Sequence, residues 1–319
     1  MTSLDAAGPT SGAAHLLGPT DIRALARELG IRPTKTLGQN FVHDAGTVRR
    51  IARDAGVGPH NRVLEIGPGL GSLTLALLET GAYVSAVEID PVLAGVLPAT
   101  VEARMPQAAG RFALAQRDAL TIDSAADLAV PPLAGAAPYR PEHLVANLPY
   151  NVAVPVLLTL LEVLPSLKTA LVMVQSEVAD RLAAEPGSRT YGAPSVKLAW
   201  YGQARRGAKI SRSVFWPVPN VDSALVSFRR DASPRDVAQR TSDISREEVF
   251  AVVDSAFAQR RKTLRAALAE WAGSPSRAEQ ILRRAGVDPG VRGERLSVNE
   301  FIAIATAARL VTESEGGLD

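Results

Sequence analysis

Residues Arg62 to Ile66 form a short apolar run that breaks into Gly67-Pro68-Gly69-Leu70-Gly71 and resumes as a helix-forming stretch, Ser72 to Thr80, stopped by Gly81. A strand that passes through Gly-x-Gly-x-Gly into a helix lets backbone approach a ligand where a side chain would collide. The alternation continues downstream. Tyr83 to Glu88 predicts a second strand, with a helix starting near Pro91; Phe112 to Gln116, Leu144 to Asn147 and Ala170 to Gln175 predict three more. Val154 to Val163 predicts a helix and Ser223 to Phe228 a later strand. Strands separated by helices imply a parallel sheet covered on both faces, so the fold class is α/β.

Elements outside this alternation set the domain boundaries. Residues 1–19 are rich in Ala, Gly, Ser, Thr and Pro and predict a mobile tail. A helix over Asp21 to Leu29 ends at Gly30, a loop runs from Thr34 to Val42, and a helix follows from about Asp44 to Ala55. The Ala/Pro-rich segment from Asp123 to Pro141 predicts a surface excursion, and the polar stretch Arg229 to Ser242 a linker. Beyond it the pattern is helical only. Ser245 and Glu248 form a capping box before Val249, Val252, Val253, Ala256 and Phe257, and Ser297 with Glu300 repeats it before Phe301, Ile304 and Ala308. The expected organisation is a tail over 1–19, a cofactor and catalytic domain over 20–235, and a small all-helical domain over 236–319.

Composition excludes several chemistries. The 319 residues contain no cysteine, which removes disulfides, thiolate nucleophiles and Cys-ligated zinc, and fits a reducing cytoplasm. His15, His43, His60 and His143 show no metal-ligand spacing, so no metal site is expected. Leu157 to Leu164 is too short to span a membrane and Glu162 interrupts it. The N-terminus lacks the charged-then-apolar order of a secretory signal.

Ligands of open α/β sheets bind at the carboxyl ends of strands. The turn from Gly67 to Gly71 stands at one such end, but a dinucleotide fingerprint would need glycine where Ser72 stands. Glu88 ends the second strand, where an acid can accept both ribose hydroxyls, and Asp118 follows the third, where it could accept from an adenine amine. A tight turn with incidental acids, or a dehydrogenase, is the alternative at this stage.

Asn147-Leu148-Pro149-Tyr150, at the end of the fourth strand, adds a second kind of chemistry. An exocyclic amine of a base is a poor nucleophile because its lone pair is delocalised into the ring. The Asn147 side-chain oxygen can accept one amine hydrogen, and the Leu148 carbonyl, directed by Pro149, can accept the other. That leaves the lone pair facing a methyl donor; good alignment at about 3 Å supplies much of the acceleration. Tyr150 can stack on the base, worth about 1–3 kcal/mol in such contacts. No general base is needed. The alternative is a plain strand-end turn, since Asn and Pro are turn residues. With the glycine turn, the tetrapeptide points to methyl transfer from S-adenosylmethionine.

Basic residues cluster toward the C-terminal half. Arg205, Arg206, Lys209, Arg212, Arg229, Arg230 and Arg235 face only Asp222 and Asp231 in their stretch, and Gln259-Arg260-Arg261-Lys262-Thr263-Leu264-Arg265 contains no acid. A polyanionic partner or a solvated face would account for them. Lys262 and Arg265 are expected to face outward from one helix.

Thr36-Leu37-Gly38-Gln39-Asn40-Phe41, Glu65 to Gly71, Val87-Glu88-Ile89-Asp90, Asn147 to Asn151 and Phe215-x-Pro217-x-Pro219-x-Val221-x-Ser223 together resemble the motif series of the ribosomal RNA adenine dimethyltransferases. The Gln259 to Arg265 segment and Leu296-Ser297-x-Asn299-Glu300-Phe301 resemble the helical domain of the KsgA (RsmA) branch. The resemblance spans about residues 20 to 312. It implies a Rossmann-like class I methyltransferase sheet with a C-terminal helical domain, using S-adenosylmethionine to dimethylate two adjacent adenosines in the 3′-terminal hairpin loop of 16S ribosomal RNA. Carried over by position, Asn40 and Val42 would border the methionine end of the cofactor, and Gly67 with Gly69 its amino-acid part. Glu88 would hold the ribose, Asp118 the adenine, and Asn147 would lie between cofactor and target amine. Leu148 and Tyr150 would complete the catalytic set, Phe215 would be a second aromatic wall, and Arg260, Arg261 and Lys262 would contact RNA. A cytoplasmic monomer without membrane attachment is expected.

Overall fold

The strand that enters the glycine turn, β2 (Arg62–Ile66), is buried from Val63 onward and lies inside a seven-stranded sheet. The computed structural model describes residues 16–31, 40–135, 137–230 and 244–316. Along the first part of the chain the elements are α1 (Pro19–Glu28), β1 (Phe41–Val42), α2 (Ala45–Asp54), β2, α3 (Ser72–Glu79), β3 (Tyr83–Glu88) and α4 (Pro91–Arg104). They continue with β4 (Phe112–Gln116), β5 (His143–Asn147), α5 (Ala153–Val163) and β6 (Thr169–Gln175). The chain divides into two compact units, residues 1–173 with 210–223, and residues 174–209 with 224–319. The boundary expected near 235 and most of the expected linker lie outside the described residues, as do residues 1–15 of the expected tail and residues 34–39 of the expected loop.

The sheet order is β4-β3-β2-β5-β6-β9-β7, where β7 is Gln203–Ile210 and β9 is Ser223–Arg229. Strands β2, β3, β4, β5 and β6 run parallel, with Leu64 opposite Ser85 and Leu144, and Val145 opposite Leu171. From β2 the chain moves outward to β3 and β4, then returns to place β5 on the other side of β2. Right-handed crossovers put α3 and α4 on one face and α5 on the other. The carboxyl ends of β2 and β5 therefore flank the point where the winding reverses, the place such sheets bind ligands.

Local chemistry starts the helices of the first unit. The Asp44 and Asp90 carboxylates accept from Thr47 N–H (2.7 Å) and Val92 N–H (2.9 Å) at the N-termini of α2 and α4. The described end of the expected tail is packed rather than mobile: Leu17 is buried, and the Gly18 N–H donates to Asp21. The segment from 123 to 141 also returns to the sheet instead of forming a surface excursion. Leu128, Ala134 and Tyr139 are buried, and the Tyr139 hydroxyl lies 2.8 Å from the Tyr83 carbonyl and 3.1 Å from the Val63 carbonyl. These few anchors are diluted among Ala and Pro, which is why composition suggested exposure.

A two-stranded sheet pairs β1 with β8 (Phe215–Trp216), Phe41 opposite Trp216 and Val42 opposite Phe215.

The second unit contains α6 (Ser176–Leu182), α7 (Ala193–Ala199), β7, β9 and the helices α8 (Arg246–Ala258), α9 (Leu264–Ala267), α10 (Ala269–Ala272), α11 (Pro275–Arg284) and α12 (Val298–Gly316). Gly202 lies against Arg229 and Gly207 against Leu225, an opposed register that makes β7 and β9 antiparallel. Strand β7 is largely polar, Gln-Ala-Arg-Arg-Gly-Ala-Lys-Ile, with its Gln, Arg and Lys residues exposed, so its sequence reads as a basic run rather than a strand. Both capping acids work as expected: Glu248 accepts from Ser245 N–H and Glu300 from Ser297 N–H, each at 2.8 Å. Phe250 packs edge-on to Trp200 and Tyr201, and Phe257 lies against Tyr191 and Phe301.

Candidate active site

At the reversal point a cavity of about 200 Å³ opens among the carboxyl ends of β2, β3, β4 and β5. Asn40, Val42, Gly67, Gly69, Glu88, Asp118, Asn147, Leu148 and Tyr150 all line it. The fold thus brings together residues spread over more than a hundred positions.

The glycine turn shapes the floor. Gly69 has φ +58°, and a Cβ there would meet the Phe41 ring at 3.0 Å. At Gly71, φ +97°, a Cβ would lie 2.5 Å from Leu97 Cδ1. Any other residue would strain the backbone and push the wall inward. The three glycine N–H groups are all engaged: Gly67 donates to the Val87 carbonyl (2.9 Å), Gly71 to the Pro68 carbonyl (3.0 Å), and Gly69 to Glu88 Oε2 (3.0 Å). A phosphate-binding turn needs such groups free and an uncharged approach. Here one is held by a carboxylate.

Glu88 is buried and also accepts from Asp90 N–H at 3.0 Å through Oε1. Burial raises its carboxyl above the usual range, against the pull of the N–H groups at Asp90 and Gly69. Each oxygen keeps a lone pair for a ligand. Asp118 accepts from Leu120 N–H (2.9 Å), which fixes its position after β4. Beside these acids, Ile89 and Leu120 line the cavity while remaining 52% and 39% exposed, the apolar edges a planar ring needs.

Around the tetrapeptide, Asn147 Nδ2 donates to the Asn40 carbonyl at 3.2 Å, which turns Oδ1 to the opposite side. The Leu148 N–H donates to the Met173 carbonyl (3.1 Å), so the Asn147–Leu148 peptide is held by the neighbouring strand. The Tyr150 hydroxyl lies 2.8 Å from Ser223 Oγ, and burial raises its pKa.

Phe215, expected as a second wall, is fully buried and is not on the lining. Alternation along β8 sends its side chain inward, while Trp216 stacks on Phe41 with ring centroids 6.4 Å apart. Arg260 pairs with Glu294 (2.9 Å) and donates to the Arg189 carbonyl (2.7 Å), and Arg265 pairs with Glu279. Acids distant in sequence therefore balance a stretch that looked unbalanced, as Asp180 does for Arg206. Lys262 sits in the bend between α8 and α9, so it shares no helix with Arg265. Arg261 and Lys262 are exposed.

Two residues outside the expected site are Glu65, in β2, and Ser72, the first residue of α3. Both line the cavity, and Glu65 Oε2 and Ser72 Oγ are buried without a hydrogen-bond partner among the described residues. Burial, the largest influence, lifts the Glu65 carboxyl to about 8. An acid in the last turn of an otherwise apolar strand was the available signal.

Fold and site define a Rossmann-like methyltransferase whose cavity suits a nucleoside cation and not a nucleotide phosphate. The sequence pattern of the ribosomal RNA adenine dimethylase family matches residues 32–309, and the chain belongs to that family. It is 61% identical over 91% of its length to the ribosomal RNA small subunit methyltransferase A of Streptomyces avermitilis, covering 93% of that protein. With its namesake from Thermobifida fusca it shares 59% identity over 96% of this chain and 99% of the other. Among solved structures it resembles the 23S ribosomal RNA methyltransferase ErmE (27% identity, TM-score 0.58, 85% of this chain and all of that one). A dimethyladenosine transferase from Plasmodium falciparum shares the fold at 20% identity (TM-score 0.66, 86% and 98% covered). The methyl donor of this family is S-adenosylmethionine. Among the described residues no group of three or more His, Asp or Glu could hold a metal ion.

Proposed function

We propose that this protein dimethylates the N6 amines of two adjacent adenosines in the 3′-terminal hairpin loop of 16S ribosomal RNA, within the small subunit or its precursor. The observation that carries the reading is the meeting of Asn147, Leu148 and Tyr150 with Glu88 and Asp118 on one cavity wall. S-adenosylmethionine supplies an electrophilic methyl group on a sulfonium. Glu88 offers its remaining lone pairs to the ribose hydroxyls, Asp118 accepts from the adenine amine, and Ile89 and Leu120 flank the ring. The orphaned oxygens of Glu65 and Ser72 suit a cationic end group, and Asn40, Val42, Gly67 and Gly69 border the methionine part.

Asn147 Oδ1 and the Leu148 carbonyl accept the two hydrogens of the target amine, which directs its lone pair along the axis of transfer. Tyr150 stacks on the base. The amine nitrogen would accept the donor's methyl group, and its surplus proton would leave to solvent once transfer is complete. Alignment by the two acceptors supplies the rate, with no side-chain base. In the second unit, exposed Arg261 and Lys262 contact phosphates, with Arg260 held to Glu294 as their support. A monomer acting in the cytoplasm, where ribosomal subunits are assembled, is part of this reading. Among the described residues no helix is long and apolar enough to cross a membrane.

Action on 23S RNA is the competing reading, since ErmE shares the architecture; the much higher identity to small-subunit enzymes favours 16S. Incubation with labelled S-adenosylmethionine and undermethylated small and large subunits, followed by mapping of modified bases, tests it. Label confined to two neighbouring adenosines of 16S RNA is expected. Label in 23S RNA alone would overturn it.

A further inference from the structure

Tyr150 stands in the turn after β5 and is half-buried. Its hydroxyl, the ring atom farthest from the backbone, meets Ser223 Oγ at 2.8 Å. A tether at that end fixes the swing about Cα–Cβ, which displaces the hydroxyl most, and it restrains rotation about Cβ–Cγ through the preference of a phenolic O–H to lie in the plane of its ring. Ser223 is the first residue of β9 and has no exposed surface. It precedes Ala224, Leu225 and Val226, all buried, so apolar packing alone does not call for a hydroxyl there. A buried hydroxyl is costly unless it is hydrogen-bonded, and Tyr150 supplies the bond. Asp222, next in line, disfavours ionisation of the phenol and so keeps its proton available for sharing.

We propose that Ser223 is a positioning residue for methyl transfer, holding the Tyr150 ring in the orientation in which the target base stacks. The proposal rests on the reading of Tyr150 as a stacking wall given above. Ser223 touches neither cofactor nor base and acts through Tyr150. The hydrogen bond also gives this family member a use for tyrosine over phenylalanine, since stacking alone needs only the ring.

The test compares Tyr150→Ala, Tyr150→Phe, Ser223→Ala, Ser223→Thr and the Tyr150→Phe/Ser223→Ala double variant. Each is measured for kcat and KM on undermethylated small subunits, for cofactor affinity by calorimetry, and for melting temperature. Tyr150→Phe and Ser223→Ala should each lower kcat about fivefold, the loss of one neutral hydrogen bond. The double variant should be no slower than either single one, because both remove the same bond. Ser223→Thr should recover much of the loss, and cofactor affinity should stay at the wild-type value throughout. Ser223→Ala with wild-type kcat, or a double variant whose losses multiply, would overturn the proposal. A purely structural serine predicts a lower melting temperature with kcat per folded molecule unchanged, which also overturns it. If Ser223→Ala does not fold, Tyr150→Phe against Ser223→Thr still reads the bond from either end. Tyr150→Ala separates the two ideas: full transfer in that variant removes the stacking wall itself, whereas lost transfer there with normal Ser223→Ala kinetics removes only the tether.

Discussion

The cavity at the carboxyl end of the sheet and the basic surface of the second unit use charge in opposite ways. In the cavity, Glu65 and Glu88 are few and buried: backbone N–H groups hold Glu88, and one oxygen of Glu65 has no partner among the described residues. On the second unit the arginines are numerous and half-exposed, and several close onto acids, as Arg260 does on Glu294 and Arg309 on Glu248. Burial concentrates energy in single groups, while exposure spreads it over many weak ones. The cavity should therefore fail one residue at a time, and the surface only collectively.

The largest effect expected is at Asn147. Asn147→Ala should lower transfer by about 10²–10³, the usual range for an acceptor or donor aimed at a transition state, with cofactor affinity changed far less. Single-turnover kinetics beside calorimetry separates the two. Glu88→Ala comes next. Loss of a charged hydrogen-bonding partner should weaken cofactor binding by about 1.5–3 kcal/mol, read by calorimetry; unchanged affinity would place the ribose elsewhere.

Glu65 sharpens the comparison through pH. Its carboxyl sits at about 8 when folded and in the ordinary carboxylate range when unfolded. The folded state then holds a proton the unfolded state releases, so this stability is complete at low pH and is lost as pH rises toward 8. The urea midpoint should fall across that window in the wild type more than in Glu65→Gln. Equal slopes would show that the group is ionised in the fold.

On the surface the expected changes are smallest. Neutralising Arg261 and Lys262 together should weaken binding to small subunits and flatten its salt dependence by about 0.7–0.9 per lost phosphate contact, leaving melting unchanged. Arg260→Ala should instead cost at most about 1 kcal/mol of stability, because its partners are within the protein. A lower melting temperature from the Arg261/Lys262 pair with a wild-type salt slope would break the distinction.

The sheet was legible because its strands are apolar runs punctuated by glycine, and the spans Arg62 to Ile66, Tyr83 to Glu88 and Phe112 to Gln116 are those the sequence predicts. Strand β7 was not legible: its charged residues lie on an exposed face, and its close approach to β9 is made at Gly207, within the strand, and at Gly202, just before it. Cavity residues were found wherever they ended a strand. Glu65 escaped because it lies inside one, and the true partner of Arg260 because Glu294 is thirty-four residues away. Which way Phe215 points depends on a two-residue pairing with β1 that no local pattern announces.

The bond from Asn147 Nδ2 to the Asn40 carbonyl has a consequence for how the site can be altered. A carboxamide looks nearly the same after a half-turn, so shape alone would let it present either end to a target. The Asn40 oxygen removes that ambiguity. An aspartate of identical outline at 147 would have two acceptors and no donor, and would face the same carbonyl with repulsion. The choice between amide and acid is thus made by a main-chain atom of another segment, and a scan that trims side chains at position 40 would pass over it.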